Sequence, residues 1–306
     1  MKRLLLTGAT GQIGTPLLRK IRSAYPGLAI RVADMVAPPA ESGVEFVHTD
    51  FREADIDYDA LVRDVDIVFH LGAETLGHQT HHKEVNLIAT RELALAAERS
   101  GSVEHFLYTS TSLALGYRAS RRMPDDKPID APPYIPSTEP MRGYAFSKYY
   151  SEKEIEKLAD RVKFVILRPV NVLPRHEIDQ IVESCPPRTR LWWSHRIWHP
   201  IDSEDAADAL SGFLEPRIWA QLPRISYFNF SADSFGHRAM HAMGTQVPGI
   251  ARPFVLAVLP FIDNVKDMVK YRYVKPVWNY TASMYDNSGL KRLGLAPRQY
   301  FYKSRD

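Results

Sequence analysis

Cysteine is almost missing. Cys185 is the single one among 306 residues, so no disulfide can form within the chain, and the usage suits a reducing compartment. Cys185 lies in the run Ser184-Cys185-Pro186-Pro187, which reads as the end of an element rather than as the setting of a nucleophile. Long apolar runs are missing as well: the longest, 253–262, is too short to cross a bilayer. Charge of one sign is lacking, because 39 Lys and Arg stand against 36 Asp and Glu for a net +3. Charge alone therefore points to no nucleic-acid partner. No internal repeat or low-complexity segment is present. A signal peptide is not expected, since glycine-rich turn chemistry begins by Gly8. These absences lead to the expectation of a cytoplasmic protein with no integral membrane segment. The length allows a large sheet covered on both faces and a smaller appended region.

What is present is concentrated at the start. Leu4-Leu5-Leu6 run into Thr7-Gly8-Ala9-Thr10-Gly11-Gln12-Ile13-Gly14, and Leu17, Leu18 and Ile21 then recur at helical spacing. That order is strand, tight turn, helix. Gly8 lets the chain turn off the strand, Gly11 lets backbone approach a pyrophosphate, and Gly14 lets the helix pack close to the sheet. The helix N-terminus then presents free N–H groups and a positive dipole end to the phosphates.

Further strands are expected at 29–33, 44–47, 66–71, 103–108 and 163–168, with a late one at 225–230. The segment 66–71 is almost continuously apolar, as a parallel strand buried on both faces should be. Asp34 ends the second strand 20 residues after Gly14. Its carboxylate can accept from both adenosine ribose hydroxyls and repels a 2′-phosphate. No Arg follows it closely and Gln12 is uncharged, so NAD is favoured over NADP. Asp50 either meets the adenine amino group or caps the helix after it. The strand at 103–108 ends in the hydroxyl cluster Thr109-Ser110-Thr111-Ser112, at the end where open α/β sheets bind ligands. Residues 117–143 lack periodicity and are expected at the substrate mouth. A helix from Gly143 carries Tyr144 and Lys148 on one face. A nearby ammonium is expected to lower the tyrosine pKa from about 10 and make it an acid or base near neutrality.

This set resembles the extended short-chain dehydrogenases/reductases of the NAD-dependent epimerase/dehydratase type. The resemblance rests on Thr7-Gly8-x-x-Gly11-x-x-Gly14, Asp34, Asp50, His70-Leu71-Gly72-Ala73, Asn86, Thr109-Ser110-Thr111, Tyr144-x-x-x-Lys148 and Arg168-Pro169-Val170-Asn171-Val172. It continues into Ile201-Asp202-Ser203-Glu204-Asp205-Ala206-Ala207, and so covers residues 1 to 215 well and the remainder loosely. It implies a Rossmann-type doubly wound parallel α/β sheet with a small C-terminal substrate-binding lobe. It also implies a catalytic set of Thr111, Tyr144 and Lys148, with Tyr144 transferring the proton and Lys148 binding the nicotinamide ribose. The implied NAD contacts are Gly8, Gly11, Gln12, Ile13, Gly14, Asp34, Asp50, Phe51, Leu71, Gly72, Ala73, Asn86, Thr109, Tyr144, Lys148, Pro169, Asn171 and Val172. Substrate contacts are expected at Glu74, Ser110, Ser112, Asn171, His176 and Trp193.

Two departures narrow the chemistry. Ser112 and Leu113 stand where relatives that eliminate water place Asp and Glu. Leu113 also replaces the Cys of the 3,5-epimerase/reductase type, although His176 lies near that type's His. Oxidation or reduction of a secondary alcohol or ketone needs only the residues present. Epimerisation at carbon 4 of a nucleotide sugar with tightly held NAD is the alternative, and a non-catalytic dinucleotide sensor is the reading from another class.

No metal site is expected. His78, His81 and His82 read as a polar loop and first turn without a converging carboxylate. His195 and His199 sit in a strand-like segment with Trp192, Trp193 and Trp198, where four residues of strand separate them by about 13 Å. That segment either forms an apolar substrate wall or packs as core. A helix is expected at 203–214, capped by Ser203, and a closing helix within 288–297. The stretches 253–262 and 266–278 mix apolar, basic and aromatic residues, either covering the substrate lobe or touching a membrane surface. The expected division is 1–170 with 201–230 returning to it, and a lobe of 171–200 and 231–306. The small-molecule substrate is an alcohol or ketone, a sugar or a lipidic compound. By analogy with resembling proteins, helices at 81–99 and 144–160 pair into a homodimer.

Overall fold

The computed structural model describes residues 2–40, 43–75, 81–116, 122–123, 127–135, 141–184, 200–231 and 283–297. The strands are β1 (Arg3–Thr7), β2 (Ala29–Asp34), β3 (Glu45–His48), β4 (Ile67–His70), β5 (His105–Thr109), β6 (Arg122–Met123), β7 (Lys163–Pro169), β8 (Asn171–Leu173), β9 (Pro200–Asp202), β10 (Ile225–Phe230) and β11 (Met284–Tyr285). The helices are α1 (Gly14–Ala24), α2 (Tyr58–Val62), α3 (Ala89–Ser100), α4 (Arg142–Leu158), α5 (Arg175–Ser184), α6 (Ser203–Ser211), α7 (Pro216–Ala220) and α8 (Ser288–Leu293).

Seven strands form one parallel sheet in the order β10-β7-β5-β4-β1-β2-β3. Side chains alternate across each strand. Leu4 and Leu6 join Phe69, Leu107 and Val165 against α1 and α6, while Leu5 joins Val68, Phe106 and Phe164 against α2, α3 and α4. Both faces are thus buried, which is why these strands read as unbroken apolar runs. Each fully buried side chain of this kind contributes about 1.5–3 kcal/mol. The chain order reverses between β1 and β4, and the crevice at their carboxyl ends is where a doubly wound sheet binds its ligand.

Four local expectations need correction. The helix expected over 81–99 opens as a π-helix, His82–Ile88, before continuing as α3. Ser203 is the first residue of α6 rather than its cap; the cap is Asp202, whose carboxylate accepts from Glu204 N at 2.9 Å. That helix stops at Ser211 and tightens into a 3₁₀ turn over Gly212–Leu214. Within 117–143, β6 pairs in parallel with β11, a contact across more than 150 residues that no local pattern signals. Farther along, Leu290 and Leu295 join Phe228 and Phe230 in the main core, so core contacts do not end at residue 230. Cys185, Trp193 and the stretches 253–262 and 266–278 lie outside the described residues.

Candidate active site

The carboxyl ends of the strands open into a cavity of about 610 Å³. Its floor is the glycine turn. Gly8 has φ +69°, and a Cβ there would fall 2.6 Å from Gly72 N, so β1 and β4 approach too closely for any side chain. A Cβ at Gly14 would fall 2.0 Å from the Gly8 carbonyl oxygen. α1 therefore begins directly against the turn. Its first turn holds no acidic residue and no side chain caps it. Thr15 N donates to Gly11 O at 3.0 Å, Leu17 N to Ile13 O at 3.2 Å, and Pro16 has no N–H, so Gly14 N and the positive end of the helix dipole are what this turn offers an anion.

At one end of the cavity stands Asp34. Its Oδ2 accepts from Thr10 N at 3.0 Å and from Thr10 Oγ1 at 3.1 Å, tying the glycine turn to the end of β2. Thr10 lines the cavity too, a role the glycine spacing does not announce. Asp50 neither caps a helix nor stands free. Arg52 Nε donates to it at 2.8 Å, and the side-chain hydrogen bonds from Arg52 hold its carboxyl below the usual range. The nearest following helix, α2, is capped by Asp57. An arginine does therefore approach this end: Arg52 lines the cavity with Asp34 and Met35, its charge taken up by Asp50.

At the other end Thr111, Tyr144 and Lys148 converge, together with Thr109, Ser110, Leu113 and Met141. Thr111 comes from the turn after β5, and the other two lie one helical turn apart on α4. The electrostatics differ from the expected lysine-assisted tyrosine. Burial pushes the Tyr144 hydroxyl up to about 12, with a hydrogen bond from Thr111 pulling the other way. Lys148 Nζ donates to the Thr109 carbonyl at 2.7 Å and lies 4.7 Å from the Tyr108 ring centroid. Burial brings Lys148 down to about 7, opposed by the charge of Glu152. Tyr144 is thus protonated at neutral pH, while Lys148 is poised near its midpoint.

Most of the expected contacts line this one cavity: Gly8, Gly11, Gln12, Ile13, Gly14, Asp34, Asp50, Phe51, Leu71, Gly72, Ala73, Glu74, Thr109, Ser110, Thr111, Tyr144, Lys148, Pro169, Asn171 and Val172. Gln12 Nε2 donates to Val172 O at 2.9 Å, drawing the glycine turn to β8. Three others stand apart. Asn86 is buried and spends its amide on Glu74 N, Glu74 O and Ser147 Oγ at 2.9–3.1 Å. Ser112 is buried in a 3₁₀ turn outside the lining, and His176 is exposed on α5. Ser110 borders the cavity, but its hydroxyl donates to Glu152 at 2.5 Å. His82, read as part of a polar loop, is buried against the Tyr144 ring with a centroid distance of 6.0 Å. Neither of its ring nitrogens has a hydrogen-bond partner. Among the described residues no group of three His, Cys, Asp or Glu is placed to hold a metal, and no helix is long and apolar enough to cross a membrane.

Comparison with known proteins decides the family. The model of the NAD dependent epimerase/dehydratase family matches residues 4–189. The chain belongs to that family. Among curated relatives, the hybrid PKS-NRPS synthetase poxE of Penicillium oxalicum is 29% identical over 164 residues, which are 51% of this chain and 4% of that protein. Fatty acyl-CoA reductase 1 of Xenopus laevis is 23% identical over 222 residues, 55% of this chain and 42% of that protein. The chain thus spans less than half the length of these relatives. Among solved structures, MoeE5 in complex with UDP-glucuronic acid and NAD superposes with a TM-score of 0.63 at 16% identity, over 99% of this chain and 96% of MoeE5. That likeness shows a shared fold.

NAD is the cofactor of this family, and the cavity fits it on its own features. The backbone approach at Gly8 and Gly14 leaves room for no side chain. Thr109 lines the cavity, and its buried Oγ1 has no hydrogen-bond partner within the protein. The α1 terminus offers Gly14 N and its dipole to a pyrophosphate, and Asp34 offers a carboxylate to a ribose.

Proposed function

We propose that this protein is an NAD-dependent oxidoreductase interconverting a secondary alcohol and a ketone, with Thr111, Tyr144 and Lys148 as its catalytic residues. The observation that carries the reading is the convergence of these three side chains in the same cavity as the glycine turn and Asp34. The glycine turn and the α1 terminus hold the pyrophosphate, Asp34 the adenosine ribose, and Lys148 the nicotinamide ribose. Bound there, NAD supplies the hydride acceptor or donor. Thr111 hydrogen-bonds the reacting oxygen and orients it toward Tyr144. The Tyr144 hydroxyl, protonated at neutral pH, donates its proton to a carbonyl oxygen in the reducing direction and is left as tyrosinate; the oxidising direction is the reverse, in which the tyrosinate takes the proton of the alcohol. Leu113 and Met141 add apolar surface to the cavity lining.

Tyr144→Phe tests the proton transfer. Turnover should fall by about 10²–10⁴-fold while NAD affinity is kept; undiminished turnover would refute the role. An epimerase that passes through a transient ketone uses the same residues, and release of cofactor on denaturation separates the two. Stoichiometric NAD(H) in the supernatant favours epimerisation. Empty protein with weak, reversible binding favours a dehydrogenase that exchanges cofactor at each turnover, to be followed by NADH absorbance over alcohols, sugars and lipidic ketones. A protein that binds neither NAD nor NADP would refute the assignment of the glycine turn.

A further inference from the structure

Tyr144, Lys148 and Glu152 recur every fourth residue along one stripe of α4. The first two line the cavity. Glu152 lies behind them, fully buried, and nothing in the proposed chemistry uses it. A carboxylate without access to water persists only when its lone pairs are satisfied. Arg168 Nη2 donates to it at 2.7 Å and Arg168 Nε at 3.1 Å, and Ser110 Oγ donates at 2.5 Å. Arg168 is itself fixed, with Nη1 donating to the Lys127 carbonyl at 2.9 Å and its guanidinium 4.9 Å from the Tyr227 ring centroid.

Replacing a buried ion pair by matched apolar residues is often neutral, so the pair is poorly explained as a source of stability. Its location explains it better. The turn that carries Thr111 is gripped on both sides from α4: Lys148 takes the Thr109 carbonyl, and Glu152 takes the Ser110 hydroxyl. We propose that Glu152 is a positioning residue of the active site: anchored by Arg168, it fixes the Thr109–Thr111 turn against α4 and serves as the buried counter-charge of Lys148. This rests on the catalytic reading of Thr111, Tyr144 and Lys148.

The surroundings of Lys148 support the second part. The groups facing it are the Tyr108 ring and the Thr109 carbonyl from β5, Tyr144 and Glu152 from α4, and His70 from β4. His70 is brought down to about 3 by burial, with Lys148 adding to the effect, and so is neutral. Arg168 bears on the site through its pairing with Glu152. Glu152 is thus the acid that opposes desolvation of the lysine.

The test reads Lys148 directly and needs no cofactor. In protein labelled with [¹⁵N]lysine, the Lys148 Nζ resonance, assigned by its loss in Lys148→Arg, is titrated from pH 5 to 10. The wild-type midpoint should lie near 7, and Glu152→Gln should lower it by about one pH unit or more. Ser110→Ala keeps the charge and should leave the midpoint in place, while lowering kcat about tenfold or more at unchanged NAD affinity. Should Glu152→Gln fail to fold, Arg168→Gln replaces it: it removes the cation that shares the Glu152 carboxylate and should raise the Lys148 midpoint. An unmoved midpoint in the folded charge variants, with only the melting temperature reduced, would make Glu152 a structural ion pair and overturn the proposal. Turnover of Tyr144→Phe, measured beside the wild type, tests the catalytic reading separately.

Discussion

A single atom decides some positions. Gly14 is one: a methyl group there would meet the Gly8 carbonyl oxygen and the backbone of Ala9, neither of which can rotate away. Gly14→Ala should therefore cost about 1–3 kcal/mol and weaken NAD binding, both measurable by urea unfolding and calorimetry; a variant with unchanged affinity would mean that α1 can slide off the turn. His82 is the opposite case. Its imidazole is buried with both nitrogens unpaired, so His82→Phe removes two unsatisfied polar atoms and keeps the ring against Tyr144. Stability should be unchanged or rise by about 1–2 kcal/mol; a loss of several kcal/mol would show that an internal water or ligand satisfies the imidazole. The glycines were legible in the sequence because their constraint is local, written within eleven residues. Thr10, Arg52 and Glu152 were not, since each gains its meaning from a partner brought near by folding: Asp34, the end of β2, and Ser110 with Arg168. The expected lowering of the Tyr144 pKa failed for a related reason. Spacing reveals that Lys148 is near, but not that both groups are buried and that the ammonium is turned to the Thr109 carbonyl.

At the level of elements, periodicity served wherever a helix or strand faced the core, and the seven sheet strands lie within one or two residues of where their apolar runs place them. It failed at ends and at irregular turns. The π-helix at His82–Ile88 keeps helical spacing, so nothing in the pattern distinguishes it. What holds it is Asn86, which grips Glu74 on one side and Ser147 on the other, while Ser151 Oγ donates to the Asn86 carbonyl. The cap of α6 shows the same limit. Asp202 and Ser203 are both good capping residues, and sequence alone leaves the choice open. The carboxylate of Asp202 makes the bond to Glu204 N, so Asp202→Ala should cost about 0.5–2 kcal/mol and Ser203→Ala much less. Equal losses from the two, measured by chemical denaturation, would place the helix start one residue later.

On the scale of the whole molecule, burying both sheet faces also buries titratable groups, and this sets how stability depends on pH. His70 lies at the end of β4, enclosed between Thr7 and Thr90, and burial brings it down to about 3. His105 at the start of β5 stacks on Trp219 at 4.4 Å and is brought down to about 4, chiefly by burial. Unfolded, both would titrate near 6.5. Between that pH and their native values the unfolded chain binds more protons than the native one, so the histidine contribution is full above about 6.5 and falls as the pH drops. Each histidine adds a slope approaching about 1.4 kcal/mol per pH unit within the window, and the partial exposure of His105 makes its share the smaller. Carboxylates held low by partners, such as Asp50 beside Arg52, add loss in the same direction only nearer pH 4 and below. Lys148, brought to about 7, is charged in both states below about pH 6, so the interval from pH 6 to 4.5 isolates the histidines. Urea unfolding across it should show wild-type stability declining steeply. His70→Gln, which can still bond one of the two threonines but cannot titrate, should start lower at pH 7 and decline less steeply. Parallel profiles for the two proteins would mean that His70 gains its proton without unfolding, and that the enclosure between β4 and α3 opens to water in the native state.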